Sequence, residues 1–148
     1  MPVSAVMERH LAALSEHDLA QLDAQTTDDL RFFTPLGELS KPEYLELMRG
    51  LFAAFPDWRF EHGRLRVGWD HATVELRMEG THTGTLELPI PGFVPAAPTG
   101  KAVVLPAQDY HYTISQDRIV RVEPASVPGG GLPGLLEQIG VSPPLPPT

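Results

Sequence analysis

Val3, Val6, Met7, His10, Leu11 and Leu14 recur at the spacing of one helix face, and Asp18 can cap a second short helix through Leu19 and Leu22. Leu30, Phe32 and Phe33 then predict a short strand ending at Thr34-Pro35. A third helix should begin after Ser40, with Pro42 in its first turn and Glu43 at the third position, both helix-start signals. Tyr44, Leu45, Leu47, Met48, Leu51, Phe52 and Phe55 supply its buried face until Pro56 stops it.

From Trp58 onward the period becomes two. Phe60, then Leu65 and Val67, and after a turn at Gly68-Trp69-Asp70 the set Val74, Leu76 and Met78 read as long antiparallel strands. Residues 85 to 100, rich in Pro and Gly, interrupt the ladder because proline donates no hydrogen bond. A further strand is predicted from Ala102 to Ile114, then a turn at Gln116-Asp117 and a last strand from Arg118. After Pro124 the chain reads as loop, and a short helix ends at Gly140. Helices followed by strands imply an α+β fold: helices against a curved antiparallel sheet that curls into a cone around an apolar pocket. One domain over 1–140 is expected, followed by a Pro-rich, extended tail over 141–148.

Composition narrows the class. A chain of 148 residues can bury a core without staples, and zero cysteines remove disulfides and thiolate chemistry. Eleven Lys and Arg against nineteen Asp and Glu give a net charge of -8 with no basic cluster, which argues against nucleic acid as a partner. No apolar run approaches the ~20 residues of a membrane span, and Met1 to His10 does not read as an export leader. A cytoplasmic protein with no membrane partner is expected.

Candidate chemistry follows from strand alternation. His82 follows Val74, Leu76 and Met78 in steps of two, so it should share their cavity-facing side and bring a titratable imidazole into an apolar space. On the next strand Gln108, Tyr110, Tyr112 and Ile114 should face the cavity, with Asp109 and His111 on the other side. Phe33, Tyr44, Phe52 and Trp58 could wall a flat ligand together with Met78, while Phe93 in the Pro-rich segment could belong to a lid. Trp69 and Asp57 read as turn residues. The six histidines show no ligand spacing, so no metal site is expected, and Thr99-Gly100-Lys101 lacks the rest of a phosphate-binding loop.

Four stretches in order, Ala54-Phe55-Pro56-Asp57-Trp58, Gly80-Thr81-His82-Thr83-Gly84, Pro98-Thr99-Gly100-Lys101 and Leu135-Leu136-Glu137-Gln138-Ile139-Gly140, resemble the SnoaL-like polyketide cyclases of the NTF2-like superfamily. The resemblance runs over about residues 5–140. It implies the same cone, a homodimer through the outer sheet face, and an intramolecular aldol condensation that requires no metal or organic cofactor. Matching Gln116-Asp117-Arg118-Ile119 to the family's Asp-Gly-Lys-Ile turn places Tyr110 where characterised cyclases hold a catalytic histidine, and Pro124 where they hold the acid/base aspartate. Proline exchanges no protons. The implied site is therefore His82, Tyr110 and a substitute carboxylate at Glu123, backed by Gln108 as a hydrogen-bond donor; His111 could serve instead if the register shifts by one residue. Two readings stay open: a cyclase or isomerase for an apolar, polyketide-like carbonyl compound, and a noncatalytic binding protein that has lost the acid/base residue. Hydrolysis or hydration would need two or more carboxylates converging in the pocket.

Overall fold

A computed structural model describes residues 1–142, so the end of the expected Pro-rich tail, 143–148, lies outside the described residues. Helices α1 (Val3–Ser15) and α2 (Leu19–Ala24) open the chain, followed by strands β1 (Thr26–Thr34) and β2 (Gly37–Leu39) and helix α3 (Lys41–Ala54). Strands β3 (Arg59–Val67), β4 (His71–Thr81), β5 (Ala102–Val104), β6 (Gln108–Ser115) and β7 (Arg118–Pro124) then build the sheet, and α4 (Gly131–Gln138) closes the fold.

The sheet has the order β2-β1-β7-β6-β4-β3, with β5 also pairing to β4. Its pairs are antiparallel except β1 with β7, which run parallel. Three local departures from the sequence reading have simple causes. The hairpin β1–β2 extends the expected short strand, with Thr34 Oγ1 donating to the Gly37 carbonyl across the turn. The single strand expected over Ala102 to Ile114 is two, broken at Leu105-Pro106-Ala107, and β5 takes over pairing with β4 where β6 leaves it. The change of phase between Phe60 and Leu65 is a register shift between His62 and Leu65 opposite β4.

Helix α3 starts as its sequence requires. The Glu43 carboxylate accepts from the Ser40 backbone N–H at 3.0 Å and from its hydroxyl at 2.9 Å, and these bonds lower the carboxyl pKa. The apolar stripes of α1 and α3 pack on the concave sheet face in one core that includes Met7, Leu22, Leu30, Phe55, Val74, Leu76, Ile119 and Leu136. At the other end of α3, the Ala54 carbonyl accepts from both the Thr83 and Gly84 amides at 3.0 Å, tying helix to sheet.

That junction has no room for a side chain at Gly84, where a Cβ would collide with the Ala53 carbonyl. Gly84→Ala should therefore destabilise the fold by roughly 2 kcal/mol, the usual cost of forcing an extra carbon into a packed site. Urea denaturation of parent and variant measures this; equal midpoints would show that the helix–sheet junction yields freely.

Candidate functional site

The concave face encloses a cavity with about 90 Å³ of free space, lined by residues from α1, α3, α4 and five of the strands. Half-buried or exposed lining residues Thr34, Pro35, Gly131 and Leu132 lie at its edge. Leu76, Met78, Leu105, Val122 and Leu135 make most of the wall apolar. Polar character comes from Gln108, Tyr110 and Tyr112 on β6, Tyr44 on α3 and His10 on α1. Among the described residues no carboxylate and no lysine or arginine lines the cavity.

Strand alternation places the β6 residues as expected: Gln108, Tyr110, Tyr112 and Ile114 are buried, while Asp109 and His111 face outward. Phe33, Tyr44, Trp58 and Met78 also line the cavity. Phe52 does not. It is buried on α3, where it stacks on His17 with ring centroids 3.9 Å apart and meets the lining residue Phe60 edge-on at 6.4 Å. Phe93 is likewise absent from the lining; it is partly buried against the core, in the segment that carries the isolated Leu86–Ala96 bridge. Trp69 is exposed in its turn, and Asp57 accepts from the Thr81 amide at 2.8 Å.

His82 requires a correction. Its parity with Met78 is right, but Gly80 stands between them, and the Trp58 ring occupies the space over that glycine, where a Cβ would come within 2.8 Å of it. The cavity ends at Trp58. Beyond it, the His82 ring is fully buried against Phe55, 5.2 Å between centroids, and its Nδ1 accepts from the Thr99 amide at 3.2 Å. Burial lowers its pKa. His82 thus belongs to the aromatic plug that closes the cavity rather than to its wall.

Glu123 also departs from expectation. Tyr110 and Pro124 are direct cross-strand partners and both line the cavity, so the neighbouring Glu123 points to the outer face. There it is half-exposed and bonded to Arg121 Nε at 2.7 Å. His111, opposite Glu123 in the ladder, shares that outer face and contacts Thr73 Oγ1. Of the expected set His82, Tyr110 and Glu123, the structure brings only Tyr110 to the cavity. The role of Gln108 changes as well, since its amide nitrogen donates to the Ala125 carbonyl at 2.6 Å and leaves its oxygen as the freer group.

Helical spacing makes His10 a core position of α1, yet the structure places it in the cavity wall. The signal was present: an imidazole on an otherwise apolar helical stripe. It lines the cavity, its ring meets Tyr112 edge-on at 5.4 Å, and its Nδ1 is 3.1 Å from Gln25 Oε1. Burial depresses its pKa to about 4, an effect only partly offset by the Gln25 bond. Burial raises the pKa of Tyr44, Tyr110 and Tyr112, all three of which line the cavity, with the Tyr110 and Tyr112 rings stacked 6.4 Å apart. Every titratable group in the lining is therefore neutral near pH 7. Among the described residues, no cluster of three or more His, Cys, Asp or Glu side chains gathers to hold a metal ion.

The SnoaL-like domain model matches residues 7–122 of the sequence. The chain belongs to the SnoaL-like family. Solved structures share its fold: AclR from Streptomyces galilaeus has a TM-score of 0.72 at 22% identity, covering 97% of this chain and 87% of that one. TsrD from Streptomyces laurentii gives 0.69 at 22% identity, with 93% and 94% coverage. A SnoaL-like polyketide cyclase from Agrobacterium tumefaciens gives 0.61 at 19% identity, with 84% and 91% coverage. The sequence matches no curated protein. Among the described residues no helix is long and apolar enough to cross a membrane.

The depressed pKa of His10 makes this SnoaL-like domain's stability depend on pH in a defined direction. Between the ordinary histidine value of 6.5 and about 4, the unfolded chain binds a proton that the folded chain refuses, so stability falls as pH falls through that window. The loss should approach roughly 3 kcal/mol. Urea melts at pH 7 and 4.5 should show His10→Gln losing distinctly less stability than the parent; equal losses would place the titration elsewhere.

Proposed function

We propose that this SnoaL-like protein is a cofactor-independent polyketide cyclase, or a related isomerase, acting on a small apolar carbonyl compound. The observation that carries this reading is the set of three neutral phenols, Tyr44, Tyr110 and Tyr112, converging in an apolar cavity. An enolate or aldol alkoxide concentrates charge on one oxygen, and preorganised neutral donors in a water-poor space stabilise that charge more than they stabilise the ground-state ketone. Phenols with raised pKa values keep their protons and so remain donors. Phe33 and Trp58 supply flat apolar walls for the rest of the ligand.

Fold alone does not choose the reaction. AclR is described as a proposed hydroxylase, and the Agrobacterium protein as a polyketide cyclase. A noncatalytic binding protein is the second reading, favoured by Pro124, which stands in the wall where the family resemblance puts the acid/base carboxylate. With the catalytic reading we also propose a cytoplasmic homodimer through the outer sheet face. That face displays both charge signs, including the pairs Arg66–Asp109 and Arg121–Glu123. Light scattering should give twice the chain mass, and a concentration-independent monomer would reject this assembly.

Turnover of polyketide esters and apolar β-dicarbonyl compounds, followed by mass spectrometry, separates the two functional readings. Tyr110→Phe removes one oxyanion donor and should lower kcat about 10²- to 10³-fold while changing ligand affinity little. Glu123→Gln should leave turnover unchanged, because its side chain lies on the other face of the sheet. If the same compounds raise the melting temperature of the parent yet no product forms, the binding-protein reading replaces the enzymatic one.

A further inference from the structure

We infer that His10 Nε2 is the proton acceptor of this cavity and that Gln25 is the positioning residue that presents it. This deepens the enzymatic reading above and rests on it. A cyclase or isomerase needs a base, and neither Glu123 nor His82 reaches the cavity. His10 is a lining residue with an imidazole, and among the described residues no carboxylate or amine lines the cavity.

A short chain of hydrogen bonds sets its tautomer. Gln25 Nε2 donates to the Arg9 backbone carbonyl at 3.2 Å, and a carbonyl can only accept. That contact turns Gln25 Oε1 toward His10 Nδ1, 3.1 Å away. An amide oxygen also only accepts, so Nδ1 carries the proton and Nε2 keeps its lone pair. The ring edge meets Tyr112, one of the three phenols, so base and oxyanion donors border the same space.

The proton step balances within these groups. The C–H bond beside a ligand carbonyl breaks, its proton forms a bond to His10 Nε2, and the electron pair moves onto the carbonyl oxygen, which accepts a hydrogen bond from a phenol. The imidazolium still donates through Nδ1 to Gln25 Oε1. It then returns the proton to carbon in an isomerisation, or delivers it to the alkoxide formed when the enolate attacks a second carbonyl. His10 is a weak base, so the step depends on the phenols to lower the energy of the enolate.

The titratable groups facing His10 are Tyr112 on β6, with Tyr110 on the same strand and Tyr44 on α3 across the cavity. All three stay protonated through neutral pH, so the rate should be set by His10 alone, flat from about pH 5.5 to 9 and falling toward pH 4.

Deuterium exchange at the activated carbon of 2-tetralone in D2O, followed by proton NMR, tests this without knowledge of the natural substrate. The parent should accelerate exchange with the flat profile above. His10→Gln should lower that acceleration by about 10²- to 10⁴-fold with binding of 2-tetralone retained. Gln25→Glu, which places a carboxylate on Nδ1, should move the acid limb of the profile upward, an effect that a merely structural role would not produce. Nitrogen NMR of the parent should show His10 protonated at Nδ1; protonation at Nε2 overturns the inference without any variant. A parent that exchanges while His10→Gln exchanges equally overturns the role of His10 but keeps the enzyme. A parent that accelerates no exchange overturns both.

Discussion

The cavity exists because the C-terminal end of α3 is fastened to the far end of β4. The Ala54 carbonyl holds two amides of the segment after β4, and Phe55 and Trp58 lie directly over Gly80 and His82. This junction does two things at once. It stops the helix from lying flat along the sheet, which would fill the concave face, and it plugs one end of the space with aromatic rings. Gly80 and Gly84 are required there because any side chain would strike the Trp58 ring or the α3 backbone. The depth of the pocket, and hence which residues can touch a ligand, follows from that contact.

Electrostatic neutrality is the second organising feature. The protein carries a net charge of -8, yet among the described residues no charged side chain reaches the cavity wall. Burying an unpaired carboxylate or ammonium in such a wall would cost several kcal/mol, whereas phenols, an amide and a neutral imidazole can be buried at lower cost and still direct hydrogen bonds. The same burial that raises the tyrosine pKa values lowers that of His10, so donors stay donors and the imidazole keeps a lone pair. The outer sheet face shows the opposite pattern, with Arg59, Arg66 and Arg121 paired to acidic neighbours in water.

Local regularity made much of this readable from sequence. Helical spacing located α1 and α3, the Ser40–Glu43 pair located the start of α3, and alternation assigned Gln108, Tyr110 and Tyr112 to the inner face. Alternation also separated Pro124 from Glu123, since neighbouring residues on a strand face opposite ways. Each of these depends on a period or a bond spanning only a few residues.

His82, His10 and Phe52 show where such periods stop being informative. Alternation assigned His82 the correct face, but whether that face is open or plugged depends on Trp58, which approaches from another element. Helical spacing made His10 a core position. Its place in the wall depends on β6 setting Tyr112 beside it and on Gln25, at the end of α2, holding its Nδ1 at 3.1 Å. Phe52 lies one turn beyond Met48 on α3, yet it stacks on His17 from the turn after α1 and is not part of the cavity wall. Which side of each helix and strand is apolar is legible along the chain, because it is a property of residues a few positions apart. Which of those apolar positions border empty space is settled in three dimensions, by how elements far apart in the chain fill one another's gaps.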